Sequence, residues 1–281
     1  MRVGLCQLET SLDFKANLDK VVRGVERAQR DRLEIVCFPE CFLTGYPDQA
    51  ERARKSALAV DSPQIRQLLD RTSNMDPTLI VGFNELRSGD VYNTALVAQR
   101  GHILGTYSKV FTILAFHKPG REFPVFERSG VKFGVVICAD GGYIEPARIL
   151  ALKGARIIFA PHYNYIPARS LIQHYEHVRH DHIARAVENM VYFVRANNVG
   201  LSKEQGITSY EGQAYGDSYI VDPFGELVVR TRRHKEDFIY ADLDTSISDP
   251  TRGVGVGRSR FSIRELSKQL LDAAAESGTR K

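Results

Sequence analysis

The chain has 281 residues, 43% of them hydrophobic and 26% charged, with 38 basic and 34 acidic side chains and a formal net charge of +4. Such a length can bury roughly three-quarters of the unfolded surface, enough for one large α/β domain or two modest ones, and the composition gives no sign of disorder. The mild charge balance excludes a sustained basic face for nucleic acid: the densest basic run, Arg230 to Lys235, is followed at once by Glu236 and Asp237 and is expected to be a solvated turn between strands.

Residues 2–8 alternate and then run apolar, as a strand does. That stretch is too short for a signal peptide and runs straight into Glu9, and no window approaches the ~18 apolar residues of a membrane span, so neither a leader nor a membrane partner is expected. Residues 14–30 place Phe14, Leu18, Val21, Val22, Val25 and Ala28 on one helical face, with Asp13 as N-cap. A buried-type strand over 33–38 is stopped by Pro39, and Ser62-Pro63 marks a helix start. Further strands are predicted over 79–83, 91–99, 102–108 and 131–138, the last ending at Cys138. A helix near 145–153, a strand over 157–160, a long helix over 168–190 and a strand over 191–196 follow. Residues 217–230 make a hairpin around Asp222-Pro223-Phe224-Gly225, a strand near 237–242 comes next, and a last helix covers about 261–275. Strands and helices alternate without a Pro-, Gly- or Ser-rich linker, which predicts one α/β domain whose sheets are covered by helices.

The four cysteines, Cys6, Cys37, Cys41 and Cys138, form no CxxC pair and no zinc spacing, and Cys6 and Cys37 sit inside apolar runs as small buried hydrophobes. A reduced, cytoplasmic location is the expectation. Three polar residues stand at strand ends, where loops gather into sites: Glu40 after Cys37-Phe38-Pro39, Lys109 after Tyr107-Ser108, and Cys138 after Val135-Val136-Ile137. Each alone has a bland reading, as a buried thiol or an exposed charge. Together they make chemical sense. An ammonium lowers a neighbouring thiol's pKa. A carboxylate takes the thiol proton and returns it to a leaving amine. The ammonium also stabilises an oxyanion. Such a set runs acyl transfer with no cofactor and no metal.

The motifs around these residues resemble those of the nitrilase superfamily of carbon–nitrogen hydrolases. Phe38-Pro39-Glu40 with Thr44-Gly45-Tyr46 is similar to the family's Glu segment. Tyr92-Asn93-Thr94-Ala95 and Gly105-Thr106-Tyr107-Ser108-Lys109-Val110 are similar to its Lys segment, and Gly134-Val135-Val136-Ile137-Cys138 to its nucleophile strand. Later segments at 184–189, 196–200, 216–218 and 222–226 keep the register, so the resemblance covers roughly residues 2–245. It implies an α-β-β-α sandwich that dimerises or assembles further, with residues 246–281 reaching across the interface. It also implies a Glu40–Lys109–Cys138 triad, a thioester on Cys138, and an oxyanion held by Lys109 and the backbone N–H of Ala139.

The chain departs from the family in two places. Many relatives carry a second Glu before a Pro-Gly pair; here Pro119-Gly120 is present, but residues 111–118 contain no acid, and His117 is the candidate for part of that role. The nucleophile is followed by Ala139-Asp140-Gly141-Gly142 rather than the Trp-Glu of nitrilases. A small amide is therefore favoured as substrate, ahead of an N-carbamoyl compound and a nitrile; a degenerate binding protein is the alternative from another class. His162 and Asn164, in the loop after a strand, and Tyr46 are candidate substrate contacts, each equally readable as a structural loop residue. His174, His177, His180 and His182 look like a metal cluster, but at about 100° per residue they spread over more than half of a helix circumference, so no metal site is expected.

Overall fold

The computed structural model describes residues 1–201, 209, 211–252 and 263–276. In chain order the first half comprises β1 (Arg2–Gln7), α1 (Phe14–Arg30), β2 (Ile35–Cys37), α2 (Ala50–Ser56), α3 (Pro63–Thr72), β3 (Thr78–Arg87), β4 (Asp90–Gln99) and β5 (His102–Ser108). The second half comprises β6 (Val125–Arg128), β7 (Val131–Val135), α4 (Ile144–Leu152), β8 (Ile157–Pro161), α5 (Leu171–Asn189), β9 (Tyr192–Ala196), β10 (Val199–Leu201), β11 (Gln213–Tyr215), β12 (Tyr219–Val221) and β13 (Leu227–Arg230). β14 (Asp237–Asp242) and α6 (Ile263–Glu276) follow.

Two six-stranded sheets result, ordered β14-β1-β2-β3-β4-β5 and β13-β12-β9-β8-β7-β6, with β10 and β11 as a separate ribbon. The three central strands of each sheet are parallel and the flanking ones antiparallel. Strands buried on both faces read as continuous apolar runs whose alternate residues feed different cores. On β3, Ile80 points to the core between the sheets, while Leu79, Val81 and Phe83 meet α1 and α3. On β8, Ile157 and Phe159 enter the shared core, and Ile158 and Ala160 pack under α4 and α5. The layers are therefore α-β-β-α, as the sequence leads one to expect.

Local chemistry sets the ends. The Asp13 carboxylate caps α1 by accepting from Lys15 N–H, and Ser62 caps α3 with Pro63 in its first turn. The Leu18, Val21, Val22, Val25 and Ala28 stripe of α1 is buried as predicted. β2 is shorter than the 33–38 run, because Leu33 N–H goes back to Ala28 at the end of α1 and Pro39 offers no N–H to the ladder. β7 stops at Val135, and Cys138 opens a 3-10 turn over Cys138–Gly142. The predicted 168–190 helix begins as a 3-10 turn over Ala168–Ser170 before α5. Residues 202–208, 210, 253–262 and 277–281, including parts of the predicted last helix and of the 246–281 arm, lie outside the described residues.

Candidate active site

The carboxyl ends of the parallel strands from both sheets meet along one seam, the place where such sheets gather loops into sites. The first sheet delivers Glu40 beyond β2 and Lys109 beyond β5; the second delivers Cys138 beyond β7 and residues 162–164 beyond β8. Glu40 and Lys109 are each 1% exposed, yet both are charged groups, and Lys109 Nζ lies 2.7 Å from Glu40 Oε1. Asn93 Nδ2, on β4, donates to the same oxygen at 2.6 Å. A carboxylate only accepts, so this contact fixes the Asn93 amide: its Oδ1 faces the Cys41 thiol at 3.3 Å, and that thiol is the donor. Glu40 Oε2 is buried with no hydrogen-bond partner. One oxygen of the carboxylate is thus saturated and the other open.

Cys138 sits at φ +48°, a left-handed turn that lifts its side chain off the strand, and it keeps partial exposure toward a cavity. Its sulfur accepts from Asn164 Nδ2 at 3.6 Å. Burial pushes the thiol up to about 11, the Glu40 carboxylate adds to the rise, and Lys109, the Tyr163 backbone N–H and Arg195 oppose it. Lys109 lowers the thiol, as the sequence leads one to expect, but burial outweighs it. With burial dominant and Glu40 adding to it, the nucleophile is a thiol that needs a base. Burial by itself would lower the Lys109 ammonium, but Cys138, Glu40, Tyr46 and Asp140 outweigh it and hold the group well above its ordinary value.

Asp140 bolts the two loops together. Its Oδ1 accepts from Val110 N–H at 3.2 Å and Phe111 N–H at 2.8 Å, just beyond Lys109. Its Oδ2 accepts from the Tyr107 hydroxyl at 2.7 Å and from Ile137 N–H at 3.0 Å, just before Cys138. Burial raises this carboxyl, against Lys109 and these donors. Two glycines are fixed by close approach. A Cβ on Gly82 of β3 would lie 2.3 Å from Cys41 N and 2.9 Å from Glu40 Cα, and one on Gly120 would lie 2.0 Å from the Ser108 carbonyl oxygen beside Lys109.

The cavity holds about 510 Å³ and is lined by Lys109, Cys138, Ala139, Tyr46, His162 and Asn164, among others. Six of the residues singled out from sequence therefore meet in one place, with Glu40 buried behind them. Tyr46 is 8% exposed and stacks on Tyr163 with ring centroids 4.7 Å apart. His162 Nδ1 lies 2.8 Å from the Ala160 carbonyl, and burial together with Arg195 holds its imidazole well below the ordinary value, so it is neutral. His117 is the exception. It does not line the cavity but lies behind Tyr46, Nε2 2.9 Å from Asn84 Oδ1, its ring pushed down to about 3 by burial and by Lys109. The loop instead presents Ile113 and Leu114 to the cavity, so the wall where many relatives carry an acid is apolar.

Three of the four α5 histidines have separate neighbours. His174 Nδ1 lies 3.1 Å from the Tyr215 hydroxyl, His177 Nε2 3.2 Å from Asp181, and His182 Nδ1 2.8 Å from the Tyr219 hydroxyl. Among the described residues no group of three or more His, Cys, Asp or Glu could hold a metal ion, and no helix is long and apolar enough to cross a membrane. Sequence reasoning gave no role to Asn93, Cys41 or Arg195. Asn93 and Arg195 each interrupt an apolar strand, Val-Tyr-Asn-Thr-Ala-Leu and Tyr-Phe-Val-Arg-Ala, and a polar residue at a buried strand position is the signal that marks them.

A family model described as carbon–nitrogen hydrolase matches residues 2–252. The glutamine-dependent NAD(+) synthetase of Thermotoga maritima is 30% identical over 273 residues, covering 90% of this chain, which spans only 44% of that longer protein. The omega-amidase NIT3 of Saccharomyces cerevisiae is 28% identical over 277 residues, 90% of each chain. The crystal structure of Saccharomyces cerevisiae Nit3, a member of branch 10 of the nitrilase superfamily, superposes with a TM-score of 0.78 at 27% identity, covering 92% of this chain and 96% of that one. With a family model matching residues 2–252 and relatives of this kind, the chain belongs to the nitrilase superfamily and is a carbon–nitrogen hydrolase.

Proposed function

We propose that this enzyme hydrolyses the C–N bond of a small amide through a thioester on Cys138. The single observation that carries the reading is the asymmetry of the Glu40 carboxylate: Oε1 is held by Lys109 and Asn93, while Oε2 is buried and unpartnered. A thiol raised to about 11 needs a general base, and an open carboxylate oxygen supplies one.

In this mechanism the Cys138 S–H proton passes to Glu40 Oε2 as the C–S bond forms, and the carbonyl electron pair moves to oxygen. Lys109 Nζ and the Ala139 N–H hold that oxyanion. Collapse re-forms the carbonyl, breaks the C–N bond and sends the Glu40 proton to the leaving amine. Water, deprotonated by Glu40, then attacks the thioester; collapse breaks the C–S bond, releases the acid and returns the Glu40 proton to the Cys138 sulfur. Tyr46, His162 and Asn164 line the substrate's path. The names of the relatives, an omega-amidase and a glutamine-dependent enzyme, support a terminal carboxamide as the reacting group.

We also propose a homodimer or larger assembly with residues 246–281 at the interface, since α6 presents Leu266, Leu270 and Leu271 at 39%, 69% and 73% exposure. The functional test is ammonia release from a panel of small primary amides, N-carbamoyl compounds and nitriles, by wild type and by Cys138→Ala. Turnover of the amides that disappears in Cys138→Ala supports the reading. Preference for N-carbamoyl compounds, turnover that survives in Cys138→Ala, or no turnover of any compound overturns it.

A further inference from the structure

Among the described residues Arg195 is the largest side chain buried to less than 2% exposure, at 0%. It lies near the end of β9, whose neighbours Val194 and Ala196 face the shared core while Arg195 and Phe193 turn the other way, under α5. Burying a guanidinium costs several kcal/mol unless it is paired. Yet among the described residues no carboxylate forms an ion pair with it. Asp217 takes Arg179, Arg230 and Arg233 on its carboxylate and offers Arg195 only its backbone carbonyl. An apolar residue would pack at this strand position at lower cost, so the directed donors of Arg195 need a use.

The hydrogen bonds identify it. Arg195 Nη1 donates to the Gly216 carbonyl at 3.0 Å as well as to that of Asp217, and Nη2 donates to the Tyr215 hydroxyl at 2.9 Å and to Asn164 Oδ1 at 2.6 Å. Tyr215 and Tyr219 wall the group in, with ring centroids 5.3 and 5.5 Å from its carbon. A guanidinium has no acceptor, so Asn164 can face it only through its oxygen. The amide nitrogen is thereby turned toward Cys138 Sγ, where it is found at 3.6 Å. The next donor on that sulfur is the backbone N–H of Tyr163, one residue earlier in the same loop.

We propose that Arg195 is a positioning residue for the nucleophile: it locks the Asn164 amide so that N–H, and never C=O, points at the Cys138 sulfur. This rests on the reading of Cys138 as the nucleophile. The arrangement favours negative charge on sulfur as the thiol proton leaves for Glu40, which is when a directed donor gains most. It also recasts Asn164, read from sequence as a substrate contact, as a group that holds the attacking atom. A lysine at 195 would keep the charge but lose the fork that reaches Asn164 and the carbonyls together.

The test is the second-order rate of iodoacetamide alkylation of Cys138 at one mildly alkaline pH, read by mass on the modified peptide, in wild type, Arg195→Gln and Asn164→Asp, with thermal melting of each. Asn164→Asp is near-isosteric and gives the buried guanidinium a carboxylate, so it folds even if Arg195→Gln does not. It leaves an acceptor where the sulfur had a donor. A rise of about one to two pH units in the thiol's ionisation lowers its rate about three- to tenfold, after the higher nucleophilicity of a more basic thiolate is allowed for. Loosened packing works in the opposite direction, because it exposes the thiol and speeds labelling. Slowing of that size in Asn164→Asp, and in Arg195→Gln where it folds, is the expected result. A rate at or above wild type in any variant that melts as a folded protein overturns the proposal. Alkylation needs no amide, so this outcome is separate from whether the enzyme turns over any compound in the panel.

Discussion

Asp140→Asn is the substitution whose cost follows most directly from the hydrogen bonds. The carboxylate receives four donors, two from the Lys109 loop on Oδ1, and Tyr107 O–H and Ile137 N–H on Oδ2. An asparagine keeps its oxygen on Val110 and Phe111, because the reverse flip would set two N–H groups against its own NH₂. Tyr107 can rotate its hydroxyl to accept; Ile137 N–H cannot, and it is left buried without a partner. That costs about 1–3 kcal/mol. The two bonds to Val110 and Phe111 lose their charge assistance, for about 1 kcal/mol more. The expected loss is about 2–4 kcal/mol in urea unfolding. Because Ile137 and Val110 adjoin Cys138 and Lys109, kcat/KM should fall about a hundredfold, as a shift of roughly 1 Å in such groups costs. A variant within about 0.5 kcal/mol of wild type, with activity within about twofold, would refute the clamp.

Other outcomes follow from separate parts of the molecule. Gly82→Ala places a Cβ against the backbone of Glu40 and Cys41, where no rotamer change relieves it; a loss of about 1–3 kcal/mol and a drop in kcat of at least about tenfold are expected, and wild-type kcat would show that the Glu40 turn moves freely. His117 titrates near 6.5 when unfolded but at about 3 in the fold. The unfolded chain therefore binds the proton first as pH falls. Stability is full above pH 6.5 and is lost progressively toward about pH 3, by at most ~5 kcal/mol from this group. Urea midpoints measured across that window should flatten in His117→Gln; an unchanged slope would mean that the imidazole is not held neutral. Leu270→Glu and Leu271→Glu together should shift the protein to smaller species in light scattering, and an assembly unchanged by both would remove α6 from the interface.

Much of the fold was legible because both sheets are buried on both faces. Apolar runs such as Leu79–Phe83 and Ile157–Ala160 announce such strands, and the α1 stripe announces its helix. β6 and the β10–β11 ribbon were missed: they are short, and Val125–Arg128 alternates too briefly to stand out from a loop. At the site, strand-end placement and motif register led to Glu40, Lys109 and Cys138, which the structure brings together. The electrostatics were not legible. Motifs that bring Glu40, Lys109 and Cys138 together do not show how deeply the sulfur is buried, and burial is what pushes the thiol up to about 11. Nor could spacing tell that His117 turns from the cavity to Asn84, or that Arg195, an ordinary strand residue by position, reaches Asn164.

The central claim is a covalent thioester on Cys138 formed with Glu40 as base. The measurement that tests it most directly is intact-protein mass spectrometry of the enzyme acid-quenched during turnover of a small amide, followed by mapping of the modified peptide. The account predicts a mass increase equal to the substrate's acyl group, on the Cys138 peptide, removed by hydroxylamine and absent in Glu40→Gln. Steady turnover with no adduct in hydroxylamine-free quenches, and with rate undiminished in Glu40→Gln, would contradict it.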